Sequence, residues 1–481
     1  MGAHDVYQEP LVSRYTDKEM QHIFSDDFKF FTWRKCWTAL AEAQHELGLP
    51  QVKKEMIDEL IKAQKTIDYD VAGKKEKEIR HDVMAHVYEY GTHCPTAKGI
   101  IHLGATSQFV GCNTDLIQIR DALKIIKLGI INTVYNLYKF ADEHKSLVTL
   151  GYTHFQPAQP TTVGKRATLY IQDLLMDLEE IIKVESSMKA RGAKGTVGTQ
   201  ASYMELFDQD YEKVKQLDLL VSKKLGFAAS FPVTGQTYTR KYDSIVAKAL
   251  AGIGESAHKF AVDLRLLSNL KIMEEPFEKS QTGSSAMAYK RNPMRSERMT
   301  SLSRKLIGLQ TDFSFTYANQ WFERTLDDSS IRRMDIPQMF LLGNAVLKLY
   351  ENITSGMVVY PAQIKKHLDE ELPFMATEVI LMEACKKGED RQKMHEIIKK
   401  HSVDAGNKVK MEGKSNDLFE RLAEDDEIPV SKKFLNDLLK HPERFAGAAE
   451  LQTIEYLRDH VKPVIDKHKS LIGKSSSEIN V

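Results

Sequence analysis

The sequence is poor in cysteine and has neither a net charge nor a long apolar run. Its four cysteines are scattered over 481 residues without a closely spaced pair, so neither a disulfide framework nor a zinc site is expected. No run of about 18 apolar residues suggests a membrane span, and no apolar signal core follows Met1. Basic and acidic residues each total 67, which argues against bulk electrostatic binding to nucleic acid. These absences predict a reduced, cytoplasmic protein that binds no metal, nucleic acid or membrane.

Strand patterns are also scarce, whereas apolar residues recur at three- and four-residue steps over unusually long stretches. The pattern predicts long helices over 113–145, 162–190 and 242–270, and two more that begin at Pro293 and Ser330. Several of them stay apolar on more than one face, as expected for helices that also pack against other subunits. The predicted fold class is therefore all-α, with a central bundle of long helices that assembles into a multi-subunit helical core.

The length exceeds that of one ordinary hydrophobic core, and three helical domains are expected. Short helical patterns define an N-terminal domain, 1–110, and the long patterns define a central domain, 111–360. Beyond this the helical patterns become shorter and richer in Lys and Glu, which indicates a C-terminal domain, 361–481. Its tail, from Gly473 onward, is expected to be disordered.

One stretch between two long helical patterns is unusually polar. Residues 281–298 begin with small polar residues typical of an irregular loop, and Asn292-Pro293 is typical of a helix start, with Asn292 as the N-cap. This arrangement would place hydroxyl groups and Lys290 beside a helix N-terminus, which attracts anions. A glycine-rich turn near Gly198 has no strand before it and no Gly-Lys-Ser/Thr, so it is not a phosphate-binding P-loop.

Other polar blocks stand near the ends of predicted helices, and each has a structural explanation when taken alone. A His beside an Asp at a helix start is either a catalytic pair or a cap, and His81 and His86 are too far apart in sequence to share a helical face as metal ligands. Small residues before a long helix form either a carboxylate cradle or an ordinary turn. A loop histidine beside prolines, and arginines near a helix start, are more often structural or solvated. The blocks are 13–15, 80–82, 104–107, 151–162, 231–238 and 319–333.

The order of residues in these blocks resembles a known family. Residues 284–293, Ser-Ser-Ala-Met-Ala-Tyr-Lys-Arg-Asn-Pro, closely resemble the signature loop of the fumarase/aspartase superfamily of lyases, and within it the adenylosuccinate lyase branch. The Thr-His-x-Gln-Pro-Ala-Gln-Pro and Trp-x-Glu-Arg-x-Leu segments, at 153–160 and 321–326, resemble further blocks of that family. One position departs, because relatives usually carry proline where this chain has Ala288. A more flexible loop is expected there, since proline fixes φ.

The resemblance implies a C–N lyase that eliminates fumarate without a cofactor, from a substrate that carries a succinyl group on nitrogen. Ser284 would be the base, activated by Lys290 and the helix start, and His154 would be the acid. Glu297 would orient His81 or Lys290. The resemblance assigns substrate contacts to Arg14, Tyr15, Arg80, Asp82, Thr106, Ser107, Thr153, Gln236, Asn292, Arg298, Arg324, Ser329 and Arg333.

Family membership would supply two small-molecule nucleotide substrates. These are adenylosuccinate, cleaved to AMP, and succinylaminoimidazole carboxamide ribotide, cleaved to its amide, AICAR. Thr106 and Ser107 would bind the succinyl carboxylates, and Arg324, Ser329 and Arg333 the nucleotide phosphate. A homotetramer with sites shared between subunits is expected, because the blocks lie far apart along the chain. The alternatives are an argininosuccinate lyase-like enzyme, whose loop typically reads Gln-Lys-Lys-Asn, and a non-catalytic helical assembly protein of the same fold.

Overall fold

Helices dominate the computed structural model, which describes residues 5–278, 281 and 285–475. The first part of the chain forms one turn of π-helix and five α-helices: Leu11–Tyr15 (π), then α1 Lys18–Ile23, α2 Asp26–Glu46, α3 Lys54–Ala63, α4 Tyr69–Ile79 and α5 Asp82–His93. Several starts are fixed by side-chain caps, since Asp17 and Ser25 accept hydrogen bonds from backbone amides of the first turns of α1 and α2.

The middle of the chain forms the long helices. Its elements are α6 Ser107–Glu143, β1 Val148–Thr153, β2 Gln156–Thr162, α7 Val163–Ser187, α8 Ala201–Leu206, α9 Tyr211–Lys224, α10 Lys241–Asn269, β3 Met273–Glu274, α11 Met294–Ala318, α12 Asp328–Thr354 and β4 Val358–Val359. In the described ranges the strands form two antiparallel pairs, β1 with β2 and β3 with β4. The all-α prediction is confirmed, and the long helices lie where the apolar periodicity predicted them.

The last part of the chain forms shorter helices. They are α13 Pro361–Met375, α14 Thr377–Lys386, α15 Arg391–Glu412, α16 Leu418–Ala423, α17 Lys432–Lys440, α18 Ala449–Tyr456 and α19 Lys462–Lys467, with single turns at Pro442–Phe445, Leu457–Val461 and Lys469–Leu471. Buried apolar residues between 376 and 438 form a separate cluster, whereas those of 457–465 join the main core. We therefore propose that the C-terminal domain is centred on 376–438 and that the chain returns to the central bundle after it.

Three of the long helices run in the same direction. α6 and α12 meet near their starts, where Arg332 pairs with Asp115, and near their ends, where Asn136 donates to the Glu351 carbonyl oxygen at 3.3 Å. α10 begins beside them, because the Arg240 guanidinium at its N-cap donates to the first residue of α12 at 2.6 Å. We call the end of the bundle that holds these three N-termini the near end, and the opposite end the far end.

α7 and α11 run in the opposite direction. Gly164, in the first turn of α7, packs against the end of α6 so closely that an added Cβ would lie 2.4 Å from the Ala141 carbonyl oxygen. Ser314, near the end of α11, lies 3.3 Å from Ser244 near the start of α10. The chain therefore places the start of α7 and the start of α11 at the far end.

One sequence expectation about an irregular segment was wrong. Residues 151–162, expected as a loop, belong to the β1–β2 hairpin, whose two turn residues, His154 and Phe155, both have positive φ. A two-stranded ribbon tolerates Pro157 and Pro160 because each strand has an open edge, where a missing N–H costs no ladder bond. Of the tail from Gly473 onward, 473–475 are described, and there the Gly473 amide donates to the Asn132 side chain at 2.7 Å. The rest of that predicted tail, 476–481, lies outside the described residues.

Candidate active site

A cavity of about 560 Å³ opens at the near end of the bundle. The N-termini of α5, α6 and α12 line it, and helix N-termini attract anions because their first amides and their dipoles point outward. The cavity size is typical of small-ligand sites. The residues of the sequence-predicted site that line it are Arg80, His81, Asp82, Ser107, Gln236, Arg324, Ser329 and Arg333.

His81 joins two of the predicted blocks. Its Nε2 lies 3.2 Å from the Ser107 hydroxyl oxygen, and its Nδ1 accepts a weak hydrogen bond, 3.4 Å long, from the Met84 amide at the start of α5. Next to it, Asp82 accepts a hydrogen bond of 2.8 Å from the Arg333 guanidinium. α4 ends immediately before His81, because Arg80 adopts a left-handed conformation with φ of 56°. This turn sets three consecutive polar side chains on the cavity wall.

Gln236 connects the other blocks of the cavity. Its side-chain oxygen accepts from the Arg324 guanidinium at 2.9 Å, and its amide nitrogen donates to the Thr106 hydroxyl at 3.3 Å. Its carbonyl oxygen accepts from the fully buried Arg191 at 2.9 Å, and Arg191 also donates to the Gly195 carbonyl oxygen in the glycine-rich turn. The glycine-rich turn therefore holds the Gln236 loop in place.

A buried carboxylate lies beneath the arginines of the cavity. Asp328 is 0% exposed and is approached by three guanidinium groups, those of Arg240 at 2.6 Å, Arg332 at 3.2 Å and Arg324 at 3.6 Å. Burial raises the pKa of the Asp328 carboxyl, but the three arginines outweigh burial and hold that pKa below its ordinary value. Asp328 is therefore ionised and fixes the position of Arg324 and Arg332.

The far end of the bundle carries His154. The histidine lies in the hairpin turn and is exposed, as are Thr153 and Phe155. Within one chain the turn is remote from the cavity, because α6 starts at the cavity and spans 37 residues before the hairpin begins. At 1.5 Å per residue, that helix is about 55 Å long. His154 therefore does not reach His81 or Ser107 of its own chain.

The described part of the 281–298 segment, from Ser285 onward, also lies at the far end, and its helix starts differently from the sequence expectation. α11 begins at Met294, one residue later than expected, and its N-cap residue is Pro293, whose ring offers no hydrogen bond to the first turn. Instead the buried Glu275 carboxylate accepts from the amides of Arg295 and Ser296 at 3.0 and 2.9 Å. The Glu275 carboxylate therefore already offsets the positive dipole at the N-terminus of α11. Of the two groups predicted to activate Ser284, the helix start and Lys290, only Lys290 remains as a source of positive potential. Ser284 lies outside the described residues.

Glu297 and Arg298 occupy the first turns of α11. Among the described residues, Arg265 pairs with Glu297 at 3.9 Å, so within one chain Glu297 does not orient His81, which lies at the near end. Arg298 lies over the Tyr15 ring, 5.4 Å from its centroid, and has a buried N–H without a partner among the described residues. This contact places the segment that carries Arg14 beside the start of α11, at the far end, rather than beside the cavity.

The structure adds residues that sequence reasoning missed. Lys29 and Arg332 line the cavity, and Asp328 and Glu275 position other groups. A signal for Asp328 existed in the sequence, because acid and arginine alternate at four-residue steps over 324–332, the spacing of side-chain neighbours on a helix. Glu275 gave no such signal, since it meets α11 from about twenty residues upstream.

Within the described ranges no group of three or more His, Cys, Asp or Glu side chains is placed to hold a metal ion. In the same ranges no helix is both long and apolar enough to cross a membrane.

Comparison with known proteins identifies the group of proteins to which the chain is similar. Residues 9–308 match the family described as lyase, and residues 373–455 match the family described as adenylosuccinate lyase C-terminus. The chain is 49% identical to the adenylosuccinate lyase of Saccharomyces cerevisiae, covering 100% of both chains, and 48% identical to that of Schizosaccharomyces pombe, covering 99% of both.

Solved structures show the same architecture at low identity. The chain is similar to a 3-carboxy-cis,cis-muconate lactonizing enzyme from Pseudomonas putida, with a TM-score of 0.81 and 20% identity over 95% of this chain and 99% of that one. It is also similar to a fumarate lyase from Mesorhizobium, with a TM-score of 0.79 and 20% identity over 95% and 100% of the two chains. These two likenesses show the fold.

Proposed function

The chain is a lyase of the adenylosuccinate lyase family, and we propose that it eliminates fumarate from adenylosuccinate and from succinylaminoimidazole carboxamide ribotide in a site shared between copies of the chain. The observation that carries the activity is the end-to-end match, at 48–49% identity, with curated adenylosuccinate lyases. The C-terminal match to the same family separates it from an argininosuccinate lyase.

In this proposal the near-end cavity binds the nucleotide. Arg324, Ser329 and Arg333 hold the phosphate, with Arg14 supplied by another copy. Thr106 and Ser107, at the N-terminus of α6, bind the succinyl carboxylates. Support comes from the convergence of three helix N-termini and several arginines on one cavity of suitable size.

Ser284 and His154 carry the proton transfers in this proposal. Ser284 removes a proton from the carbon beside one carboxylate, and that carboxylate takes up the charge as an aci-carboxylate. His154 then protonates the departing nitrogen, the C–N bond breaks, and fumarate leaves. Lys290 and Asn292 stabilise the dianionic intermediate, because fixed positive charge and donors act most strongly where negative charge develops.

The two ends must come from different copies of the chain. A substrate in the near-end cavity lies about 55 Å, the length of α6, from the His154 turn of the same chain. Large apolar side chains remain exposed along the bundle, among them Met176 at 61% and Met334 at 52%, which is typical of helices that pack against further subunits. We propose a cytoplasmic homotetramer in which antiparallel neighbours bring one near end beside the far ends of others.

A fumarate-release assay tests the activity. The chain is expected to release fumarate from both purine substrates, with argininosuccinate as the control substrate that gives no product. Release from argininosuccinate alone would overturn the proposal.

The base is tested by Ser284→Ala. This variant is expected to lose fumarate release by about 1,000-fold or more while it still binds adenylosuccinate, because the hydroxyl acts on the C–H bond rather than in binding. Ser285→Ala is the matched control in the same loop and is expected to stay active. Substantial turnover by Ser284→Ala would exclude Ser284 as the base.

A further inference from the structure

Lys29 is a cation on the cavity wall to which the family resemblance assigns no role. It lies in the first turns of α2, where its side chain is half-buried and faces the same cavity as Arg80 and Arg333. Its Nζ lies 4.7 Å from the centroid of the Phe30 ring and 5.3 Å from that of Trp33. These faces form a rigid support, because Phe30 stacks on His86 at 3.8 Å and Trp33 is 3% exposed.

Within the described part of the chain, the Lys29 ammonium has no carboxylate partner. Among the described residues none places a carboxylate oxygen within 4.0 Å of it, whereas Arg333 is paired with Asp82 and Arg332 with Asp115. Burial lowers the pKa of Lys29, and the neighbouring Arg333 lowers it further, while more distant acids act in the opposite direction. A half-buried cation held by aromatic faces, without a counter-ion, is a binding position for an anion.

The net charge of the cavity wall indicates how much negative charge that anion carries. Five permanent cations line the cavity and three acids oppose them, so the wall has an excess of two positive charges. The cations are Lys29, Arg80, Arg324, Arg332 and Arg333, and the acids are Glu76, Asp82 and Asp115. A phosphate monoester carries about −1.5 to −2 at pH 7, which matches this excess.

We propose that Lys29 is a further binding residue for the 5′-phosphate of the nucleotide, acting beside Arg333. The inference rests on the proposed function for the identity of the ligand, but not for its chemistry, which is that of a phosphate monoester. The ammonium donates to a phosphate oxygen from the aromatic support, while the Arg324 guanidinium approaches from the loop before α12 and that of Arg333 from α12 itself.

The test compares ligands with and without the phosphate. For Lys29→Met, the KM for adenylosuccinate and the Kd for AMP are expected to rise about 10- to 100-fold, the range for one charge-assisted hydrogen bond, with kcat changed less than about twofold. Binding of adenosine, and turnover of the dephosphorylated nucleoside succinyladenosine, should stay within about twofold of the wild-type chain. Lys29→Arg, which keeps the charge, should retain most of the affinity.

Lys35→Met is the matched control. Lys35 lies on the same helix and also contacts an aromatic ring, Phe31 at 5.7 Å, but it is exposed and outside the cavity. Its removal should change neither AMP nor adenosine binding. Should Lys29→Met fail to fold, Lys29→Gln carries the same comparison.

Two results would overturn the proposal. Unchanged AMP binding in Lys29→Met would show that Lys29 makes no phosphate contact. Equal losses of affinity for AMP and for adenosine would show that Lys29 supports the fold or the part of the cavity that holds the adenine ring. Because AMP binding needs no turnover, these results are distinguishable from failure of the proposed function, which is lack of fumarate release by the wild-type chain.

Discussion

Replacement of Asp328 by Asn should destabilise the protein strongly, because it removes the charge that three buried guanidiniums share. Asp328 is 0% exposed, and the side chains of Arg240, Arg332 and Arg324 are 1%, 8% and 13% exposed. Removing one partner of a buried ionic group typically costs about 3–5 kcal/mol, since the other charges stay buried. At roughly 2 °C per kcal/mol for a chain of this size, the apparent Tm should fall by about 6–10 °C.

The matched control lies two turns further along the same helix. Asp335 is 6% exposed, and one of its carboxylate oxygens is buried without a hydrogen-bond partner among the described residues. Burial, and then the nearby Asp312, raise the pKa of Asp335 to about 6 from an ordinary value of 3.8. A raised folded-state pKa means that stability is lost as pH rises through 6, by up to about 3 kcal/mol. Asp335→Asn should therefore raise the apparent Tm at pH 8, and the gain should shrink as pH falls from 6 towards 4.

Scanning calorimetry of both variants at pH 8 measures the contrast. The same variants should also differ in substrate binding, because only Asp328 positions Arg324 in the cavity. If Asp328→Asn were as stable as Asp335→Asn at pH 8, the claim that this carboxylate holds the arginine cluster together would be wrong.

Two further substitutions test positioning groups. Gly198→Ala would place a Cβ 1.8 Å from the Thr234 carbonyl oxygen and shift the Gln236 loop, so kcat/KM should fall about tenfold or more. Gly388→Ala, with a similar positive φ but open space around it, is the control, and equal activity of the two variants would contradict the argument. Glu275→Gln should lower stability by about 1–3 kcal/mol through loss of the α11 cap, whereas Glu255→Gln, at an exposed position of α10, should not; equal melting temperatures would exclude the cap.

The helices were predictable from sequence because their information is local. Apolar residues repeat at three- and four-residue steps over the whole of α6, α7 and α10, and this period alone gave their positions to within several residues. The β1–β2 hairpin was missed for a local reason as well. Pro157 and Pro160 argue against a sheet, and the turn residues His154 and Phe155 carry no Asn or Gly to signal positive φ.

The arrangement of the site was only partly predictable. The family resemblance named eight of the 18 residues that line the cavity. Spacing along the chain did not reveal that His81 and Ser107 meet while His154 lies at the opposite end. The cap of α11 was assigned to Asn292 because capping rules consider neighbours in sequence, whereas the cap is Glu275, which reaches α11 through tertiary packing. Lys29 was missed because a lysine among aromatic residues on a helix ordinarily packs its stem against them and keeps its charged ammonium in water.

Mixing two inactive variants tests the shared site most directly. His81→Ala disables the near-end group and His154→Ala the far-end group, and both side chains are largely exposed, so neither change should prevent folding. Suppose that each site takes these two groups from different subunits. After equal mixing and subunit exchange, about half of the sites have an intact His81 and, independently, about half have an intact His154. About one quarter of wild-type activity should therefore return. Mixed tetramers that stay inactive would contradict the account, because they would show that His81 and His154 act from the same chain.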